Sequence, residues 1–214
     1  AVTAQANPVR DHHMEAELIL SHKTVTPGQK LWGGIELSMD GKWYTYWKNP
    51  GDSGYPLRLD WHSIPAPEVG EILWPTPQAI PAEPLMSYGY KGGSVILPFE
   101  IQMPQDIDPG STYTLDVTAN WLMCKEICLP GEGRLKLPVK VAEEAQPHPD
   151  HNSDLQLALD NLPMGNEEHQ WDVTAIYSKD SVMLRATPPE YDLPPLNEKD
   201  FRFFPFTEGV IDDA

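Results

Sequence analysis

Proline recurs every few residues along this chain, and that recurrence limits the fold more than any other feature. Twenty-three prolines and fifteen glycines are spread over 214 residues. A proline ring removes a backbone donor and breaks a helix interior, and central strands exclude it. Long helices are therefore scarce, and many short strands joined by loops are expected. Proline and glycine together still fall below the roughly 25–30% that marks low-complexity disorder. Seven Trp, eight Tyr and five Phe supply the apolar mass for a packed core. The fold class read from this pattern is all-β.

Strand candidates follow from period-two alternation and from β-forming residues. They are Glu15–Leu20, Lys30–Ser38, Trp43–Trp47, Leu57–Trp61, Glu71–Trp74, Ser94–Ile101, Thr112–Trp121 and Arg134–Val141. The run N-P-G-D-S-G after Trp47 and Lys48 is a turn, and the segment from Ile64 to Pro84 is an irregular, proline-rich excursion. Turns every 8–12 residues favour a sandwich over a barrel. Residues 143–154, E-E-A-Q-P-H-P-D-H-N-S-D, are the linker candidate, which places a first domain at 1–142 and a second, smaller β subdomain at 155–214. Within the second, Leu155–Leu162 is a short helix capped by Asp154 or Ser153, and Trp171–Tyr177, Ser181–Ala186 and Phe201–Phe206 are strands. At about sixty residues it is near the lower limit for independent folding, so the parent protein is expected to continue past Ala214.

Charge and hydropathy narrow the function classes. Fifteen Lys and Arg against 32 Asp and Glu give a formal charge of −17, which repels phosphate backbones and argues against a nucleic-acid partner. No apolar run approaches the ~18 residues of a membrane-spanning helix. The opening A-V-T-A-Q-A-N-P has no basic region followed by an apolar core, so no intact signal peptide is read there. Hydrolase triads, phosphate-cradling glycine loops and cofactor fingerprints are likewise not found.

The informative segment is A-N-W-L-M-C-K-E-I-C-L-P-G-E-G, residues 119–133, with Cys124 and Cys128 between a strand and a Pro-Gly turn. Three readings compete. A structural staple gains little from so short a loop: chain entropy gives about 2 kcal/mol for five residues against about 3 kcal/mol for fifteen. Zinc would need two further ligands, and the histidines (His12, His13, His22, His62, His148, His151, His169) are scattered. Redox exchange needs only the pair itself: one thiolate attacks a partner disulfide and the second resolves the mixed disulfide. Lys125 would favour a neighbouring thiolate and Glu126 would oppose it. A separate run, Asp11-His12-His13-Met14, could bind copper through imidazole and thioether, although a solvated terminus explains it as well.

Three stretches then bring in a known family. W-Y-T-Y-W-K-N-P-G-D-S-G-Y-P (Trp43–Pro56), Y-G-Y-K-G (Tyr88–Gly92) and W-L-M-C-K-E-I-C-L-P-G-E (Trp121–Glu132) resemble the periplasmic N-terminal domain of the thiol:disulfide interchange protein DsbD. The short cysteine spacing resembles its longer variant in the suppressor-of-copper-sensitivity membrane protein ScsB. The resemblance spans residues 15–141 and implies an immunoglobulin-like β-sandwich with an inserted cysteine-bearing β segment. It implies a domain on the periplasmic side of the inner membrane that takes electrons from a membrane-embedded domain of the same protein. It would pass them to thioredoxin-fold partners, with no small-molecule cofactor and no metal. Cys128 corresponds to the cysteine that forms the mixed disulfide, and Cys124 to its resolving mate. Tyr44 and Tyr46 match tyrosines flanking the site, Trp121, Lys125 and Glu126 adjoin the cysteines, and Leu85–Tyr90, with Tyr88, matches a cap loop. The acidic pair of DsbD before that tyrosine is replaced by Leu85 and Met86.

Two other functions remain open from sequence. A non-catalytic binding module could use Trp43, Trp47 and Trp61 as a stacking platform, although strand alternation would bury many such rings. A copper-handling domain would use His12, His13 and Met14.

Overall fold

The computed structural model describes residues 7–165, 171–179, 181–188 and 201–209. Alternation explains its central strand, β9 (Thr112–Cys124). Tyr113, Leu115, Val117, Ala119, Trp121 and Met123 all point to one face and are 5% exposed or less. Burying Leu115, Val117 and Met123 contributes roughly 1.5–3 kcal/mol each relative to leaving them exposed, so the strand's register is firmly specified. On one side β9 pairs antiparallel with β10 (Cys128–Val141), through thirteen consecutive residue pairs from Cys128↔Cys124 to Lys140↔Thr112. On its other side it pairs with β5 (Arg58–Trp61).

A second set of strands shares the same core and is joined to β9 through β4 (Lys30–Gly51) in one hydrogen-bonded sheet. In β4 the predicted strands Lys30–Ser38 and Trp43–Trp47 are one continuous element. Its first half pairs with β2 (Met14–Leu20), and both halves pair with β8 (Leu85–Gln102), across register shifts between Met39 and Tyr44 and between Tyr46 and Gly51. Val9–Asp11 forms β1 on the edge of β2, His22–Val25 forms β3 parallel to the end of β10, and Glu68–Val69 (β6) and Gln78–Ala82 (β7) border β8. The predicted strand Glu71–Trp74 does not form: those residues run irregularly between β6 and β7. One apolar core, from Met14, Leu18 and Ile35 through Phe99 to Leu115 and Leu135, joins the β2–β4–β8 and β5–β9–β10 groups.

Residues 143–154 contain β11 (Gln146–Pro147), paired with β3, and the start of α1 (His151–Asp160). The helix starts four residues before the predicted Leu155. Asp150 holds the cap position without a side-chain bond, and His148 Nδ1 accepts instead from the Asp150 and His151 backbone N–H groups at 3.3 and 3.2 Å. Leu155, 1% exposed, seats the helix on the sheet at Gly34, where an added Cβ would lie 2.9 Å from Leu155 Cδ2. Beyond the helix, β12 (Asp172–Tyr177) and β13 (Val182–Thr187) make a separate two-stranded hairpin. Phe201–Phe206, predicted as a strand, is an irregular segment lying against β4 and β8, because its rings find aromatic partners there instead of a strand to pair with. No helix among the described residues is long and apolar enough to cross a membrane.

Candidate functional site

The Pro-Gly turn expected after Cys128 is not a turn: β10 runs straight through Leu129-Pro130-Gly131. Among the described residues only the end of β10, at Lys140 and Val141, has a second neighbour in the ladder, so Pro130 sits on an edge where its missing N–H is harmless. Gly131 leaves room for the fully buried Trp121, whose Nε1 would lie 2.3 Å from an added Cβ. Trp121 therefore anchors the hairpin from the core side. The cysteines become a directly opposed cross-strand pair at its tip, joined by a disulfide of 2.04 Å with Cα atoms 4.1 Å apart. Lys125, Glu126 and Ile127 form the connecting loop and are exposed, with the Lys125 N–H bonded to the Ile127 carbonyl at 3.1 Å.

Strand alternation separates the two sulfurs from the main core. Met123 faces that core, so Cys124 faces the other side, where it is 1% exposed in a small cluster with Tyr44, Tyr46 and Ile80. Cys128 is exposed. The same alternation on β4 brings Tyr44 and Tyr46 to the site and sends Trp47 into the core. β4 is held there by its pairing with β9, Tyr44↔Cys124 and Thr45↔Met123, and by the Thr45 hydroxyl donating to the Leu122 carbonyl at 2.9 Å.

Tyr46 is the polar group nearest the sulfurs. Its hydroxyl lies 3.0 Å from Cys124 Sγ and 3.8 Å from Cys128 Sγ. Burial, then the adjacent Tyr44, pushes its phenol far above the usual tyrosine range, against smaller opposing effects of Ser53 and Ser87. It therefore remains a protonated O–H, available as a donor. The Tyr44 ring meets the Tyr46 ring edge-on at 5.5 Å. Gly54, at φ +101°, lies against that ring, where any Cβ would come within 2.3 Å of Cζ.

Other predicted residues lie elsewhere. Tyr88 belongs to the main core and meets Phe204, not the sulfurs. The apolar residue that covers Cys124 is Ile80 of β7, which lay hidden in the proline-rich excursion. Trp47 is buried, while Trp43 and Trp61 pack against the same core, Trp61 edge-on to Phe99 at 5.8 Å. These rings are not a shared open platform. His12 and His13 form the β1–β2 turn, His13 stacks on Trp43 at 4.4 Å, and Met14 is fully buried. The copper reading loses its thioether to the core. Among the described residues no group of three or more His, Cys, Asp or Glu is placed to hold a metal ion.

Attack on a disulfide requires access to one sulfur and a tolerable leaving thiolate on the other. Here Cys128 is the exposed residue and Cys124 the buried one, and the Tyr46 hydroxyl lies nearer the Cys124 sulfur, at 3.0 against 3.8 Å. A β domain presenting one exposed and one buried cysteine of a disulfide in this way has the make-up of a thiol–disulfide interchange domain.

Comparison with known proteins agrees. The family described as "Thiol:disulfide interchange protein DsbD, N-terminal" matches residues 15–140, more than half of the chain, and the chain belongs to that family. The N-terminal periplasmic domain of ScsB from Proteus mirabilis has the same fold, with a TM-score of 0.65 at 18% identity over 86% of this chain and 71% of that chain. A yeast GGA1 GAE domain (16% identity, 61% of this chain, 96% of that chain, TM-score 0.31) and Bacillus subtilis Spo0M (10%, 82%, 80%, 0.31) are too distant in structure to carry any argument. No curated protein matches.

Proposed function

We propose that this chain is a periplasmic electron-relay domain that reduces disulfides of thioredoxin-fold partners and is itself re-reduced by a membrane-embedded domain of the same protein. In the reduced state the Cys128 thiolate attacks one sulfur of the partner disulfide. A Cys128–partner disulfide forms and the partner's other sulfur leaves, taking a proton from solvent. The Cys124 thiolate then attacks Cys128 Sγ, re-forming the intramolecular bond and releasing the second partner thiol. Two electrons and two protons pass to the partner, and no cofactor is needed. The observation that carries this reading is the unequal pair: Cys128 exposed, Cys124 buried with the Tyr46 hydroxyl 3.0 Å from its sulfur.

The family membership and the ScsB-like fold support the periplasmic setting and the class of partner. We read the two strand groups around the common core as an immunoglobulin-like sandwich with the β9–β10 tip as its inserted redox arm. On the same reading, 1–142 is the exchange domain, 143–154 connects it, and 155–214 belongs to a second β unit.

Cys124→Ser, reduced and mixed with oxidised thioredoxin-fold proteins, is expected to give a covalent complex through Cys128 that dithiothreitol dissolves. Failure to trap any such partner, with Cys128 still freely alkylated, would refute the relay.

A further inference from the structure

Residues 203–206, Phe-Phe-Pro-Phe, lie far from the cysteines in sequence but touch the strand that carries Tyr46. Phe204 meets Tyr88 edge-on at 5.4 Å and Trp47 at 6.2 Å, and Phe206 meets Trp47 at 5.5 Å. Lys48 Nζ sits 4.5 Å from the centre of the Phe206 ring. Asn49, fully buried, donates from Nδ2 to the Pro205 carbonyl at 2.8 Å. Four successive β4 positions, 46 to 49, thus bind the sulfurs on one face and this segment through the other three.

The contacts continue into the turn that closes over Tyr46. Asn49 Oδ1 accepts from the Gly51 N–H at 3.0 Å, and Gly51 passes so close to Met86 that an added Cβ would lie 2.4 Å from its carbonyl oxygen. Asp52 and Met86 exchange two hydrogen bonds: the Asp52 N–H donates to the Met86 carbonyl at 2.9 Å, and the Met86 N–H donates to Asp52 Oδ2 at 2.7 Å. The turn then reaches Gly54, on the Tyr46 ring itself. Asn49 is therefore a buried bracket between the aromatic segment and the turn. The Trp47 indole N–H beneath the segment is buried with no hydrogen-bond partner, which limits how much stability the docking adds.

We propose that residues 203–206 are a positioning strap for the redox centre. By docking on Trp47, Tyr88 and Asn49, the strap fixes the 46–54 turn so that the Tyr46 hydroxyl stays seated on Cys124 Sγ. It thereby sets how readily the pair is reduced. The inference rests on the exchange function proposed above and gives the second β unit a part in its chemistry. When dithiothreitol reduces the pair, the Cys124–Cys128 bond breaks, two protons and two electrons enter, and the reagent closes to its cyclic disulfide. A seated Tyr46 donates to the Cys124 sulfur and favours that reduced form. A loosened Tyr46 shifts the equilibrium back to the disulfide.

The test is the equilibrium of the full chain with dithiothreitol, read by alkylation and mass, for Phe204→Ala/Phe206→Ala, with and without Tyr46→Phe. Coupling through packed side chains of this kind gives about a fivefold shift toward the disulfide in the double variant. In the Tyr46→Phe background the same strap substitutions are expected to shift it by less than about twofold, since the group they act through is gone. Phe206→Ala alone, at a ring that is 64% exposed, leaves the fold intact and is expected to shift the equilibrium in the same direction by a smaller factor. An unchanged equilibrium in both strap variants overturns the strap, as does an equal shift with and without the Tyr46 hydroxyl. A wild-type pair that dithiothreitol never opens overturns instead the exchange function beneath it.

Discussion

Tyr46→Phe removes one oxygen from the redox centre and leaves the shape of the ring unchanged. The hydroxyl is 3.0 Å from Cys124 Sγ, and both residues are 1% exposed, so water does not take its place without rearrangement. Sulfur in a disulfide is a weak acceptor, whereas the thiolate with which Cys124 attacks is a strong one, so at a pH where that thiol is ionised the lost bond costs the reduced form more than the oxidised form. A hydrogen bond to a charged group contributes about 1.5–3 kcal/mol. At 1.4 kcal/mol per factor of ten, the lower figure makes the variant about tenfold harder to reduce, equivalent to a fall of about 30 mV in potential. Global stability should change little, by about 1 kcal/mol, since the aromatic packing on Tyr44 and Gly54 is kept. Equilibration with graded dithiothreitol, followed by alkylation and mass analysis, reads the shift directly. An equilibrium within twofold of wild type, in a variant with native urea unfolding, would show that the hydroxyl does not stabilise the reduced pair.

Three further outcomes follow from packing and charge. Gly131→Ala forces a Cβ to 2.3 Å from the buried Trp121 ring; overpacking of this kind costs about 1–3 kcal/mol, visible as a lower urea midpoint, and a midpoint unchanged from wild type would mean the ring has room to move. Asp116 receives Arg134 at 2.8 and 2.9 Å and Lys136 at 3.2 Å; the Arg134 hydrogen bonds, against burial and with help from Lys136, hold its carboxyl below the usual aspartate range. Its stabilisation is therefore full above pH ~4 and is lost as pH falls through and below that value, and Asp116→Asn should flatten that part of the stability–pH curve. His148 accepts two N–H bonds at the start of α1, and burial first, then the stacked His151, lowers its proton affinity, with Lys23 adding and Asp150 and Asp154 opposing. The unfolded chain thus binds the proton more readily, so this contribution is complete above pH ~6.5 and fades as pH drops below it. The protection factors of amides in 151–155, the exchange rate of the unstructured chain divided by that observed at the same pH, should fall between pH 7.5 and 5.5 in wild type, and show no such step in His148→Ala.

The sequence made some of this legible and hid the rest for physical reasons. Thr112–Trp121 was readable because every second residue is apolar and every one of those faces a single core. The merging of Lys30–Ser38 with Trp43–Trp47 was not, since Asp40-Gly41 has the composition of a turn, and only its neighbours keep the chain extended: β2 and β8 hold the stretch before it and β9 holds Tyr44 and Thr45. Pro130-Gly131 misled in the same way, because whether a proline sits on an open edge is a property of the sheet. The cysteines were found from spacing and family motif, but their unequal exposure depends on strand parity at Met123 and Cys124. Ile80 carries no alternation signal among the prolines, and Phe204 finds its partners more than a hundred residues away.

The sharpest measurement is the location of a trapped adduct. Oxidised wild-type protein is exposed briefly to a small monothiol such as glutathione, quenched in acid, and mapped by peptide mass. Glutathione bound at position 128, with the sulfur at 124 free, is the predicted result. Glutathione at 124, or a bond that the monothiol never opens, would contradict the account.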